Sequence, residues 1–306
     1  MPVAIFLYEI DKSFGPNLIA SYYLTNVKAT QEILRNLVEK HTKKDLCDAT
    51  ITKDNYRYYS SEIDAENTKK NLYLGFILKE EEDLVSLKSL FEKIEGKIIE
   101  NFTTDKRKLE QTLKEIMTSI LDLMEKLKEP EIIKQTINEK TKQMLDEGKL
   151  QEARELIDLG EKIPEKLAEE VTLAEQYRNN QDYKKAKKSY FKAAELAEQI
   201  QEFEMVDLLR KKGEKVGDLP SYLKEQDSIN KDIQKILSDL EGRELNLYEE
   251  VVGLINENIK ISNNLDDNEF IGVLEKLKNY CRSALRKANE LNRLDEEILK
   301  ILEEEF

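Results

Sequence analysis

Residues 173–196, LAEQYRNNQDYKKAKKSYFKAAEL, constrain the fold more than any other stretch of this chain. Leu173 and Ala174 precede Tyr177 by four and three residues, Asn180-Gln181-Asp182 supplies turn chemistry, and Ala186, Tyr190 and Ala193 recur along one face of a second helix. Small residues at Ala174, Ala186 and Ala193 let two antiparallel helices approach closely, while Tyr177, Tyr183 and Tyr190 fill the spaces between them. The spacing predicts a helical hairpin, which is a binding architecture and not an active site.

A shifted copy precedes it. In GKLQEARELIDLGEKIP, Gly148, Leu150, Ala153, Ile157 and Gly160 stand 33 residues ahead of Gln181, Tyr183, Ala186, Tyr190 and Ala193. This copy is degenerate: Thr141 and Met144 take the places of Ala174 and Tyr177, and Pro164 falls where its second helix is expected to end. The two copies resemble tetratricopeptide repeats, whose period is about 34 residues. The resemblance implies a partner-binding inner face on each first helix, made of Glu175, Arg178 and Asn179, with Lys142 and Asp146 in the degenerate copy. Their mixed polarity suits a short polar peptide. EFEMVDLLRKKGEKV at 202–216 offers one further amphipathic helix to cap the array, and two units must lean on neighbouring domains because solenoids need about three. The alternative is an ordinary helical bundle whose alanines sit at contacts.

At 306 residues the chain has room for two or three domains, and 37% charged residues with 5 Pro and 10 Gly favour long solvated helices. The net charge of −14 is uneven: residues 1–128 carry 20 Lys/Arg against 22 Asp/Glu, leaving 29 against 41 for the rest. An acidic helical part disfavours nucleic acid and anionic bilayers as partners. Lys184, Lys185, Lys187 and Lys188 form a local basic group that reads as the solvated face of a helix. The two cysteines, Cys47 and Cys281, have no metal-ligand spacing, and no apolar run reaches the ~18 residues of a membrane span. MPVAIFLYEIDK lacks the basic flank of a signal peptide, so a reduced, cytoplasmic protein without an integral membrane segment is expected.

The N-terminal part reads as mixed α and β. Strand candidates lie at 3–10, 17–24, 46–52, 55–63 and 71–79, with turns at Gly15-Pro16, Asp54-Asn55 and the polar stretch 64–70. A helix capped by Thr30 carries Ile33, Leu34, Leu37 and Val38. After residue 82 the period becomes helical through Phe102, and Thr103-Thr104-Asp105 caps a further helix reaching about 128. The order β-β-α-β-β-β-α-α, with the opening IFLYEID…FGPNLIASYY, resembles a longin domain, a five-stranded sheet covered by helices. The resemblance covers about 125 residues and carries no catalytic signature. It implies a platform beside small GTPases or trafficking-type machinery.

In the last third, Gly213, Gly217, Pro220 and Ser221 are read as a break. Ile229, Ile233, Ile236 and Leu240 form one stripe, and Tyr248, Val251, Leu254, Ile255 and Ile259 a second. The longest runs through Phe270, Leu274, Leu277, Cys281, Leu285, Ala288, Leu291, Leu294, Ile298 and Leu302. An antiparallel hairpin in which Ile229–Ile259 covers this stripe makes the protein a monomer; a coiled coil is the alternative.

Catalytic chemistry finds little support. The sole histidine, His41 in VEKHTKK, is expected near a helix end where a cation meets the helix dipole favourably. GxxxxGK[ST] does not occur, Cys281 lies on an apolar stripe, and Glu296-Glu297 and Glu303-Glu304-Glu305 read as surface charge. The reading is an α+β chain. It has a longin-like domain at 1–128, a tetratricopeptide-like region at 129–217 and a C-terminal helical hairpin or coiled coil at 218–306. Its expected role is a non-enzymatic interaction scaffold with no cofactor, metal or catalytic residue. The rivals are a peptide-binding adaptor whose N-terminal domain is purely structural, and an enzyme with an unrecognised site.

Overall fold

The computed structural model describes residues 1–11, 13–44, 46–63, 71–79, 82, 84–238 and 247–305. The polar stretch 64–70, Leu240 and the side chains of 302–305 lie outside the described residues. By contact, the chain divides into two compact units, Met1–Asp218 and Leu219–Phe306. The boundary placed at 128/129 lies inside the first.

The first unit begins with strands β1 (Ala4–Asp11) and β2 (Gly15–Tyr23), helix α1 (Gln31–Lys44), strands β3 (Asp48–Lys53), β4 (Tyr56–Glu62) and β5 (Leu72–Lys79), and helices α2 (Leu84–Glu100) and α3 (Lys106–Lys126). The strands form one antiparallel sheet in the order β2-β1-β5-β4-β3. Local chemistry sets its corners. Asp11 accepts the backbone N–H groups of Ser13 and Phe14 at 2.7 and 2.9 Å, ahead of Gly15 at φ +82°. Asp54 and Asn55, at φ 53° and 61°, make the two-residue turn between β3 and β4.

Both faces of the sheet are buried, which explains the continuous apolar run of β1. Ile5 and Leu7 join Leu74, Phe76 and Leu78 of β5 in a core with α2 and α3, whereas Ala4, Phe6 and Tyr8 join Ile33, Leu34 and Leu37 of α1. Phe6 faces Gly75 across the β1–β5 ladder, and a Cβ on that glycine would lie 2.2 Å from its ring.

Helices α4 (Pro130–Asp146), α5 (Leu150–Asn179), α6 (Tyr183–Gln199) and α7 (Phe203–Ser238) follow. One apolar cluster runs from Ile5 and Leu7 through Leu113 and Ile120 to Ile133, Leu167, Tyr190 and Val216. The helical repeats therefore share the core that covers the sheet. Glu202, 7% exposed, fastens the α6–α7 corner by ion pairs to Lys126 of α3 at 3.3 Å and Lys140 of α4 at 2.6 Å.

The corners repeat one motif. The N–H groups of Lys149, Asp182 and Glu202 bond back to the carbonyls of Met144, Tyr177 and Ala197 at 2.8–3.0 Å, and Gly148, Gln181 and Gln201 before them sit at φ 78°, 60° and 58°. Gly148 and Gln181, 33 residues apart in sequence, occupy the same place in the same turn.

Two expected breaks are absent. Pro164 lies inside α5, where Gly160, Ile163, Leu167 and Val171 carry the buried face straight past it. An interior proline costs about 3 kcal/mol, a penalty that a continuous buried face offsets. Gly213, Gly217 and Pro220 lie inside α7. A Cβ at Gly213 would meet the Phe191 ring at 2.9 Å, and one at Gly217 the Lys187 side chain at 2.5 Å. These glycines permit close approach of α6 and do not end a helix.

In the second unit the last part of α7 accompanies α8 (Leu247–Asn264) and α9 (Asn268–Glu305). Ile229 and Ile233, then Val251, Ile255 and Ile259, and Ile271, Leu274 and Cys281 are buried. Gln226 donates to Ser262 Oγ at 2.9 Å and Asn258 to Asn230 Oδ1 at 2.6 Å, polar pairs that fix the register of the antiparallel α7 and α8 segments. The cover over the α9 stripe ends at Ala288: Leu291, Leu294, Ile298, Leu299 and Ile301 are exposed.

Candidate functional site

Concave surface adjoins the second half of α5. Leu167, Val171 and Ala174 recur at helical spacing, are buried and anchor the segment, while Thr172 and Leu173 between them stay exposed. Three depressions adjoin residues 165–178. A cleft of about 430 Å³ is walled by Thr172, Glu175 and Arg178 of α5, Lys212 of α7, Lys128 beyond α3, and Pro2 and Leu78 of the sheet region. A shallower depression of about 590 Å³ shares Lys128 and Thr172 and extends along Glu165, Ala168 and Glu169. The third, about 430 Å³, lies between α5 and α6 beside Glu170, Leu173, Lys192 and Leu196.

The first cleft is the most polar in chemistry. Lys212 is 3% exposed; its Nζ lies 3.4 Å from a Glu175 carboxylate oxygen and 5.1 Å from the centre of the Tyr190 ring. A cation this deep needs compensation, and the carboxylate and the aromatic face both contribute to it. Glu175 therefore positions Lys212 as well as facing the cleft. Lys192 and Glu170 rim the α5–α6 depression at 3.1 Å, and Lys134 joins Glu165 at 3.0 Å, solvated pairs that contribute little stability.

Of the five residues expected on the partner face, Glu175 and Arg178 share the first cleft. Asn179 is exposed at the end of α5, and Lys142 and Asp146 are exposed on α4; none of these three lines the depressions just described. Thr172, Leu173, Lys128 and Lys212 are additional. No local signal singles out Leu173: it stands next to the buried Ala174, and adjacent helical residues elsewhere, such as Ala193 and Ala194, are both buried, so its exposure follows from the packing of α5.

The sheet holds a second polar constellation. His41 does lie in the last turn of α1, as expected, but it is 7% exposed, and burial opposes the cationic form that a helix-dipole role needs. Its Nδ1 lies 2.7 Å from the Leu46 carbonyl oxygen, which can only accept, so Nδ1 donates there. Nε2 then accepts from Ser60 Oγ at 3.1 Å, and Ser60 accepts from Tyr8 at 2.8 Å. Burial holds the imidazole below its ordinary pKa, against the opposing pull of the Leu46 hydrogen bond. Burial likewise pushes the Tyr73 hydroxyl up to about 12, and the Tyr73 ring lies 4.5 Å from the imidazole. The layout is that of a nucleophile beside an oriented base, but Ser60 is 0% exposed. It latches α1 to the sheet.

Cys281 is buried, which raises its thiol pKa, and Cys47 is exposed. Lys184 and Lys188 are exposed, Lys185 pairs with Asp182 at 2.6 Å, and Lys187 reaches over the Phe191 ring. Among the described residues no group of three or more His, Cys, Asp or Glu is placed to hold a metal ion, and no helix is long and apolar enough to cross a membrane. No protein-family model, curated protein or solved structure matches this chain.

Proposed function

We propose that the chain is a non-enzymatic, cytoplasmic protein-interaction scaffold that joins a longin-like sheet domain to tetratricopeptide-like hairpins and binds its partner along the depressions beside the second half of α5. The observation that carries this reading is the gathering of three depressions around one anchored segment, 165–178. The longin-like assignment is supported by the element order, the sheet order and the burial of α1 on one face with α2 and α3 on the other. The tetratricopeptide-like assignment is supported by the matching turns at Gly148 and Gln181. Longin domains commonly serve as platforms for small GTPases, so a nucleotide-loaded small GTPase is the proposed partner.

A short polar peptide is the second reading, favoured by Glu175, Arg178 and Lys128 in a cleft of about 430 Å³, a space that takes a few side chains and not a protein face. Calorimetric titration of the full chain with nucleotide-loaded small GTPases and with a polar peptide set tests both. The expected result is binding that Thr172→Arg with Leu173→Arg abolishes at unchanged thermal midpoint, since both positions are exposed. Failure of every GTPase removes the trafficking clause. Binding indifferent to the double substitution removes the α5 face.

A further inference from the structure

We infer that the C-terminal part of α9 pairs antiparallel with the same segment of a second copy of the chain. The argument starts from length. α8 has 18 residues and α9 has 38, about 27 and 57 Å at the helical rise, and they are joined by a tight turn at Asp266. An antiparallel neighbour that short runs out before α9 ends. Ala288 is the last buried position, and the next 13 residues are exposed.

The exposed segment is not a polar tail. Leu291, Leu294, Ile298 and Ile301 recur at three- and four-residue spacing with Leu299 beside them, each between 51% and 58% exposed. Large apolar residues at that density mark an interaction surface, whereas single ones scattered over a surface do not.

Charge selects the occupant. Residues 282–293 carry Arg282, Arg286, Lys287 and Arg293 against one acid, Glu290; residues 295–305 carry six acids against one base, Lys300. A parallel pair sets basic against basic and acidic against acidic along its whole length. An antiparallel pair centred near Leu294 reverses this, bringing Arg293 toward the partner's acidic half and matching Leu291 with Ile298 and Ala288 with Ile301. The helix dipoles oppose as well. One sequence thus supplies both halves of a complementary surface, which is the condition for a two-fold pair.

The area limits the strength. A helical segment of 17 residues from Asn289 to the end of α9 is about 25 Å long, and two such segments bury less than the ~1,200 Å² of a standard interface. The pair is therefore weak and concentration-dependent. The expectation of a monomer rested on full cover of the stripe, and the cover stops at Ala288.

Sedimentation velocity of the full chain over about 1–200 μM, with Leu294→Glu/Ile298→Glu in parallel, is the test. Both side chains are half-exposed within one chain, so the variant keeps its helical circular dichroism. We expect a reversible dimer for the parent, monomer throughout for the variant, and roughly tenfold or greater weakening of the dimer on raising ionic strength from about 0.05 to about 0.5 M. A parent that stays monomeric across the range overturns the proposal. So does a variant that still dimerises, which puts the interface elsewhere, and so does a dimer that tightens with salt, which is the signature of the parallel arrangement.

Discussion

Gln181 and Gln201 sit at φ 60° and 58° in the turn that Gly148 fills at 78°, a conformation that crowds Cβ against the backbone. Replacing either glutamine by glycine relieves that crowding, offset in part by the greater freedom of glycine in the unfolded chain. The expected gain is about 0.5–1 kcal/mol at each position, read as a higher urea midpoint. Two unchanged or lowered midpoints would show that the turn is not held as described. His41 gives a pH-dependent counterpart. Its folded pKa lies below the ordinary 6.5, so the unfolded chain takes up the proton first. The imidazole's contribution to stability is complete above that value and is lost as pH falls through it toward the folded pKa. His41→Gln should flatten the fall in stability between about pH 7 and pH 5.5, by at most about 1.4 kcal/mol per pH unit. Identical slopes for parent and variant would mean that the imidazole is not buried neutral.

Small residues set the spacing of the helices. Ala186 and Ala193 are fully buried on α6, and Ala186→Leu or Ala193→Leu should destabilise the first unit by about 1–3 kcal/mol because the added methylenes have no space. Midpoints unchanged by both substitutions would contradict the close α5–α6 contact. What was legible in sequence at this scale had local causes: Asp54-Asn55, Asn180-Gln181-Asp182 and the Asp105 cap, whose carboxylate accepts from Arg107 and Lys108 N–H, all lie where their own chemistry puts a corner. Pro164 and Gly213 misled because their consequence is tertiary. A proline ends a helix unless a buried face holds it in place, and a glycine reads as a breaker until Phe191 is found against it.

At the scale of the molecule, the sheet and the first four helices after α3 are tied by one core, with ion pairs from Lys93 to Glu204 at 2.5 Å and from Lys126 to Glu202 at 3.3 Å. Residues 1–128 contain every strand among the described residues and their covering helices, so this fragment should retain the sheet. It should melt below residues 1–218, because Leu123, Met124 and Leu127 lose neighbours. Equal thermal midpoints for the two fragments would show that the shared core contributes nothing. The cleft was only half legible: Glu175 and Arg178 follow from the repeat register, whereas Lys128, Lys212 and Pro2 come from three other elements that only the fold brings together. Hydrogen exchange of the full chain, alone and saturated with the GTPase or peptide that binds it, tests the scaffold account most directly. The account predicts slowed exchange concentrated in residues 165–178 and in the neighbouring ends of α3 and α7. Protection confined to the α1 face of the sheet or to residues 219–305, with 165–178 unchanged, would contradict it.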